Sequence, residues 1–323
     1  MTSSSHLDNI VQMLPVFMRK SSLGIEITAT TVRLAAISGT RQKLFIDAAA
    51  TTGLTDGAAC DSFTADGLGD PAAVVGGVRA CLASQTRRIR RAHLSLPDAL
   101  FRVQMLDFDE LPDSAADRER LVKWRLEKAA TFDLEGTVLR LLIQHKDPKG
   151  YAVLACAAKK AVVEQYEQAL EESGLEPWSV GISSFHAWNL FSPLMDKAAA
   201  NHAFAYIMED SLAVIVTDRG RLKLYRWKDV KRTSTDELAG RCLRELEDTM
   251  HFYSHLDRTQ TSEVRHLFLA GDPAVTAAIA GELGASLSMS VAAVTPEDAG
   301  ASGAGSGGAL ALLSAALGAG SAA

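Results

Sequence analysis

The sequence is poor in cysteine and in aromatic residues, and it has no excess of positive charge. Its 323 residues include four cysteines that lie far apart, outside any C-x-x-C pair, which excludes a disulfide scaffold and a common zinc ribbon. The formal net charge of −6 provides no positive field for nucleic acid, so no nucleic-acid partner is expected. With 47% hydrophobic and 22% charged residues, the composition is that of a globular protein.

Long hydrophobic runs are also missing. No stretch reaches the roughly 18 apolar residues that a membrane helix needs. Residues 1–22 lack the charged start, apolar run and cleavage site of a signal peptide. Apolar residues at helical spacing predict a short amphipathic helix there, which Pro15 would kink. We therefore expect a cytoplasmic protein whose membrane contact is at most peripheral.

The order of the predicted elements indicates a duplicated chain. Three strand-like runs near the start have counterparts roughly 180 residues later, and alternating helices and strands follow each set. The six runs are Ile25–Ile27, Val32–Ile37, Lys43–Ala50, Phe204–Met208, Ala213–Thr217 and Leu222–Trp227. This order predicts an α/β architecture of two related lobes.

Two helices carry clear start or stop signals. The segment Lys159–Ser173 has apolar residues on one face and Gly174 just past its end. The long helix predicted over Thr235–Leu256 begins after Ser234, which is spaced from Glu237 as in a capping box. A strand over Val103–Phe108, a helix over about Ala115–Ala130 and a hairpin across Asp147–Gly150 are also predicted.

Several motifs, in order along the chain, resemble the PilM-type actin-like proteins of type IV pilus assembly and their relatives in type II secretion. The opening Gly24–Ile27 with Thr31–Leu34 is similar to the first phosphate hairpin of that family. The other motifs are Leu96-Pro97-Asp98, Phe108–Pro112, Leu121–Lys128 with Phe132-Asp133, Ala157–Lys160 and Ser173–Pro177.

The resemblance implies an actin-like (ribonuclease-H-like) fold with two lobes around a nucleotide cleft. The first lobe would span residues 23–180, with an inserted subdomain at about 97–157, and the second 181–323, closed by a helix over Ala309–Leu317. It also implies a cytoplasmic scaffold, peripheral to the inner membrane, that holds the cytoplasmic tail of a PilN-like membrane protein. Other proteins of a pilus or type II secretion platform are further expected partners.

The same resemblance gives Glu26, Thr28, Thr30 and Gly271 as the candidate nucleotide site. Family members usually have Asp-x-Gly-Ser or Asp-x-Gly-Thr in the first hairpin, where this chain has Glu26-Ile27-Thr28-Ala29. The longer Glu26 would displace a metal-bound water, and the β-branched Thr28 opposes positive φ and close approach of a phosphate.

The other two contact points also depart from the family pattern. The second hairpin is Ile207-Met208-Glu209-Asp210, which places negative charge near a polyphosphate. Of the Gly-Gly on the adenosine side, only Gly271 persists. We therefore expect a scaffold that is not an enzyme, with no catalytic residue and no required cofactor or metal. A true ATPase or kinase that binds ATP and Mg²⁺ in an altered cleft is the alternative, and a filament-forming actin relative is a third reading.

Three further patterns have competing interpretations. The run Arg87–Arg91 is either a patch for anionic lipid, phosphate or an acidic partner, or a solvated helix end. Glu247, His251 and His255 share a helix face that is either a partial zinc site or solvated. The glycines of 303–308 match G-x-G-x-x-G, but with no strand directly before them and no acidic residue after them they indicate a flexible linker.

Overall fold

The structure is a computed structural model. It describes residues 21–40, 43–85, 89–129, 134–147, 150–230, 234–256, 263–304 and 313–321. Four segments discussed above therefore lie outside the described residues: the helix predicted near the start of the chain, Arg87-Arg88, Phe132-Asp133 and residues 305–312.

Two sheets with the same internal order form the two lobes. In each sheet the first three strands along the chain form an antiparallel meander, and two parallel strands follow. Across the sheet, the strands lie in the order third, second, first, fourth and fifth along the chain. The first sheet contains β1 (Ser22–Ile27), β2 (Thr31–Thr40), β3 (Lys43–Gly53), β4 (Arg91–Leu96) and β8 (Glu176–Ile182). The second contains β9 (Asn201–Met208), β10 (Ser211–Asp218), β11 (Arg221–Asp229), β12 (His266–Gly271) and β13 (Ser290–Ala293). The predicted duplication is thus visible as repeated topology.

A smaller sheet forms the inserted unit between β4 and β8. It has the order β5-β7-β6 and is antiparallel throughout. Its elements are β5 (Phe101–Phe108), helix α2 (Ala115–Ala129), β6 (Thr137–Asp147) and β7 (Gly150–Lys159). Val122 and Leu126 of α2 pack against buried residues of β6 and β7, so this unit has its own small core.

The remaining helices cover the faces of the two large sheets. They are α1 (Pro71–Leu82), α3 (Lys160–Glu172), α4 (Ser183–Ala198), α5 (Thr235–Leu256), α6 (Pro273–Leu287) and α7 (Ser314–Ser321). The predicted start of α5 is confirmed, because the Ser234 hydroxyl accepts a hydrogen bond from the Glu237 amide at 3.2 Å. Asp70 and Asp272 cap α1 and α6 in the same way.

The end of the chain returns to the first lobe, which corrects the expectation that its last helix closes the second. The short strand β14 (Ala301–Gly303) pairs with β3, and α7 packs on β1 and on α4. Gly24 of β1 makes this packing close, since a Cβ there would lie 1.8 Å from the Ala316 carbonyl oxygen. The residues of α7 are mostly small and all buried, so this helix can approach a strand closely.

Candidate functional site

A cleft lies where the first turns of the two lobes face each other. It encloses a cavity of about 510 Å³. Its lining includes Glu26, Thr28 and Thr30 from the first lobe, and Tyr206, Met208 and Glu209 from the second. Three of the four predicted site residues therefore meet here, while Gly271 is not among the residues that line the cavity.

The turn between β1 and β2 satisfies its own amides. The Thr28 hydroxyl accepts hydrogen bonds from the amides of Thr31 (3.0 Å) and Thr30 (3.4 Å). The Thr28 amide in turn donates to the Thr31 carbonyl at 2.8 Å. A side-chain hydroxyl that closes a turn in this way replaces an external acceptor. The amides of Thr28, Thr30 and Thr31 therefore have acceptors within the turn itself.

A buried ion pair lies directly behind this turn. Glu26 and Arg33 are paired across β1 and β2, and Arg33 Nη1 is 3.2 Å from Glu26 Oε2. Their side chains are only 1% and 5% exposed. Burying two charges is costly unless they are paired, so the contact offsets part of the cost of burying each side chain.

Glu209, at the turn between β9 and β10, connects the second lobe to this pair. Its Oε1 accepts hydrogen bonds from Arg33 Nη2 (2.8 Å), the Thr28 hydroxyl (2.8 Å) and the Thr31 hydroxyl (3.0 Å). Glu209 adopts a positive φ of 53°, which turns the chain tightly enough to direct its side chain across the cleft. We call Glu26, Thr28, Thr31, Arg33 and Glu209 the interlobe latch.

The ionisation of the latch follows from its geometry. Burial raises the pKa of Glu26 more than Arg33 lowers it. For Glu209, burial acts upward as well, but Arg33 and the hydrogen bonds from Thr28, Arg33 and Thr31 outweigh it, so the pKa of Glu209 is lowered. Burial alone would lower the pKa of Arg33, yet its two carboxylates raise it, so the guanidinium stays charged.

A second bond crosses between the lobes at Asp98, within the Leu96-Pro97-Asp98 motif. The fully buried Asp98 accepts a hydrogen bond from the Tyr225 hydroxyl at 2.7 Å and from the Ser184 amide at 3.1 Å. The Ser184 hydroxyl also donates to it. Ser184 lies in the first turn of α4, so Asp98 fixes this helix to both lobes. Burial is the main reason that the pKa of Asp98 is raised.

Gly271 has a packing role that needs no ligand. It has a φ of +113°, and a Cβ there would lie 1.8 Å from the Ile207 carbonyl oxygen. The same carbonyl accepts a hydrogen bond from the Asp272 amide at 2.7 Å. The close contact between β12 and β9 therefore requires a glycine at this position.

The structure gives the surroundings of some residues from the other sequence patterns. No group of three or more potential metal ligands clusters among the described residues, and Glu247 accepts a hydrogen bond from the Ser286 hydroxyl. Arg91 pairs with Glu176 and stacks on Trp178, its guanidinium carbon 4.1 Å from the ring centroid. Among the described residues, no helix is both long and apolar enough to span a membrane.

Sequence reasoning missed Arg33, which is central to the latch. A single arginine within the apolar run Val32–Ile37 is the signal that could have identified it. An arginine on a strand that is otherwise buried needs a carboxylate partner, and its pair across the hairpin is Glu26.

The comparisons with known proteins identify the fold. No protein-family model matches the sequence, and no curated protein matches it. A solved structure of a PilM–PilN type IV pilus biogenesis complex is similar, with a TM-score of 0.74 and 20% identity over 93% of this chain and 97% of that one.

Two more distant structures have the same fold. A Bacteroides thetaiotaomicron protein described as having an actin-like ATPase fold and unknown function aligns with a TM-score of 0.52 and 11% identity, over 86% of this chain and 91% of its own. The ethanolamine utilization protein EutJ from Carboxydothermus hydrogenoformans gives 0.51 and 10% identity, over 97% and 92%. The chain thus has the predicted α/β actin-like fold, and the repeated sheets are its two lobes.

Proposed function

We propose that this protein is a non-hydrolysing scaffold on the cytoplasmic face of a type IV pilus or type II secretion inner-membrane platform. It would hold the cytoplasmic tail of a PilN-like membrane protein. The observation that carries the proposal is the interlobe latch, in which Glu209 takes up the hydrogen-bond donors of the first hairpin. The full-length fold similarity to a PilM–PilN complex supports the choice of partner.

The residues present fit Mg-ATP poorly. Thr28 occupies the amides of its own turn, and the Glu209 carboxylate sits on the donors that would face a phosphate. The cavity lining contains six carboxylate residues and, among the residues the structure describes, no lysine or arginine. Among the described residues, the lining thus offers a polyphosphate carboxylates and no cationic side chain, and the nearby Arg33 is already paired with Glu26 and Glu209.

The alternative is an ATPase or kinase of the same fold, and the size of the cavity is the observation that favours it. A thermal shift with Mg-ATP separates the two. Ligand at about 100 times its Kd would add about 2.7 kcal/mol to the free energy of unfolding. We expect no magnesium-dependent shift at millimolar ATP. A clear shift, followed by phosphate release that Glu26→Gln abolishes, would establish the alternative instead.

The inserted subdomain offers a surface suited to an extended peptide. Strand β6 is at the edge of its sheet, and beside it lies a groove of about 250 Å³ between α2 and β6, lined by Leu111, Val122 and Leu141. Ile143 lines the same groove and is 43% exposed. An extended peptide would form main-chain hydrogen bonds at a strand edge and side-chain contacts in the groove, so we assign the tail of the membrane protein to this groove.

A binding experiment tests the scaffold and its surface together. A synthetic peptide of the PilN-like protein's cytoplasmic tail is titrated into the full chain by calorimetry. We expect micromolar binding that Ile143→Asp weakens at least tenfold. Phe252→Asp is the matched control, since Phe252 is 49% exposed on α5 of the other lobe and should not matter. No binding at tens of micromolar peptide would contradict the proposed function, and binding unaffected by Ile143→Asp would move the site elsewhere.

A further inference from the structure

Three hydrogen-bond donors of the first lobe converge on one oxygen atom of the second. Glu209 Oε1 lies 2.8 Å from Arg33 Nη2. The same oxygen lies 2.8 Å from the Thr28 hydroxyl oxygen and 3.0 Å from the Thr31 hydroxyl oxygen. One cationic and two hydroxyl donors around a single point are a set that recognises an oxyanion. We call the site formed by Thr28, Thr31 and Arg33 the donor pocket, and the Glu209 carboxylate occupies it.

The donor pocket is held in place by contacts that do not involve Glu209. The Thr28 hydroxyl oxygen accepts hydrogen bonds from two amides of its own turn, and it lies 2.9 Å from the Thr31 hydroxyl oxygen. Arg33 uses its other terminal nitrogen, Nη1, to pair with Glu26 Oε2 at 3.2 Å. Removal of the Glu209 side chain should therefore leave the three donors in position but without their acceptor.

The Glu209 side chain lies between the donor pocket and the cavity. It is 21% exposed and lines the cavity, whereas the Arg33 side chain is 5% exposed. Thr28 of the donor pocket also lines the cavity, so the space left by a missing carboxylate would open on it. A buried donor without an acceptor is costly, and a free oxyanion that enters this space would restore the lost hydrogen bonds.

We propose that Glu209 is the resident ligand of the donor pocket and that its carboxylate keeps free oxyanions out of the cleft. The contact is autoinhibitory, because the tethered carboxylate is always close to the pocket and a free anion has to displace it. The excluded oxyanion is either a carboxylate or a phosphate. The inference rests on the proposed function in one respect, that the latch and not a nucleotide joins the hairpins. It makes no use of the groove beside β6.

Thermal unfolding of the full chain with added oxyanions tests the proposal. Glu209→Gly empties the donor pocket, and glycine adopts the positive φ of 53° at this position without strain. The probes are sodium phosphate and sodium acetate, each compared with sodium chloride at equal ionic strength. Because phosphate also stabilises folded proteins by exclusion from their surface, the measured quantity is the increase in Tm beyond that of the wild type. With a Kd of about 10 mM, 100 mM of the oxyanion should raise the Tm of the variant by about 2 °C more.

Three more variants connect this shift to the named donors. Glu209→Gln is the matched control, because its side chain still fills the pocket, and it should respond as the wild type does. Adding Thr31→Val to Glu209→Gly removes one donor and should at least halve the extra increase in Tm. Glu209→Asn is one methylene shorter than the native side chain and tolerates a positive φ, so it should also show an extra increase. It keeps the test valid if the glycine variant does not fold.

The two probes distinguish the ligands. A larger extra shift with phosphate would indicate a phosphate, and a larger one with acetate a carboxylate. No extra shift with either probe would overturn the proposal, as would a shift that Thr31→Val leaves unchanged or that Glu209→Gln shows equally. Titration of the wild type with the tail peptide tests the scaffold function separately, so the two can fail independently.

Discussion

Replacing Glu209 by glutamine removes the negative charge that joins the two lobes while keeping the shape of the side chain. Three donors bond to Glu209 Oε1: Arg33, Thr28 and Thr31. A hydrogen bond to a charged group contributes about 1.5–3 kcal/mol and a neutral one about 0.5–1.5 kcal/mol. The variant thus loses about 1 kcal/mol per bond. Part of that loss is offset, because a neutral side chain costs less to bury.

The expected net effect of Glu209→Gln is a loss of about 2 kcal/mol in the free energy of unfolding. Because unfolding entropy scales with chain length, that loss corresponds to a decrease in Tm of about 3 °C for a chain of this size. Denaturant titration at pH 7, followed by circular dichroism, measures the difference in midpoint directly. An unchanged slope with denaturant would show that the change is in stability and not in the compactness of either state.

A control and a double-mutant cycle make the interpretation specific. Glu245 also contacts two cations, Arg226 at 3.5 Å and Lys228 at 3.7 Å, but it is 31% exposed and all three residues belong to the second lobe. Glu245→Gln should therefore change stability by less than about 0.5 kcal/mol. Combining Glu209→Gln with Thr31→Val should give a coupling energy of about 0.5–1 kcal/mol. A Glu209→Gln variant as stable as the wild type, or more stable, would refute the reasoning that the latch is net stabilising.

Three further outcomes are expected from the same structure. Folding lowers the pKa of Glu209, so Glu209→Gln should destabilise the protein fully at pH 7. The difference in stability should decrease as the pH falls below the ordinary glutamate pKa of 4.5, and denaturant midpoints measured across pH test this. Gly24→Ala should lower the free energy of unfolding by about 2–4 kcal/mol, because the added methyl group forces α7 away from β1. Gly76→Ala should instead raise it by up to about 1 kcal/mol, because Gly76 lies in α1 with open space around it. Both changes are measured from the denaturant midpoint. Tyr225→Phe removes one of the bonds to buried Asp98 and should cost about 1–3 kcal/mol in the same assay.

Much of the fold could be predicted because its strands and helices carry local signals. The two meanders are bounded by short polar turns, and α5 begins at a capping serine, Ser234. The segment from Glu176 to Ala198 was missed, although it forms β8 and α4. Pro193 lies within α4, and a proline is a signal against a helix in a sequence. Proline has no amide hydrogen to donate to the Asn189 carbonyl, and the Ser192 hydroxyl donates to that carbonyl instead, at 3.3 Å.

The candidate site could be predicted only in part, because its contacts are tertiary. Glu26, Thr28 and Thr30 lie at the cleft as expected from their place in a hairpin, and whether they bind a nucleotide stays a prediction. The choice of Glu209 as partner for Arg33 depends on how the second lobe sits against the first. Periodicity within either strand does not report that arrangement, so the latch became visible only in three dimensions.

The latch accounts for the proposed scaffold function, because a side chain of the protein would replace a bound anion. In a cleft that binds a nucleotide, an anionic ligand bridges the donors of the two hairpins and brings the lobes together. We propose that the Glu209 carboxylate, which is part of the chain, takes the place of that anion here. Closure then needs no ligand, which suits a scaffold with a fixed shape. Under the proposed scaffold function, the wild-type protein should accordingly gain no stability from Mg-ATP.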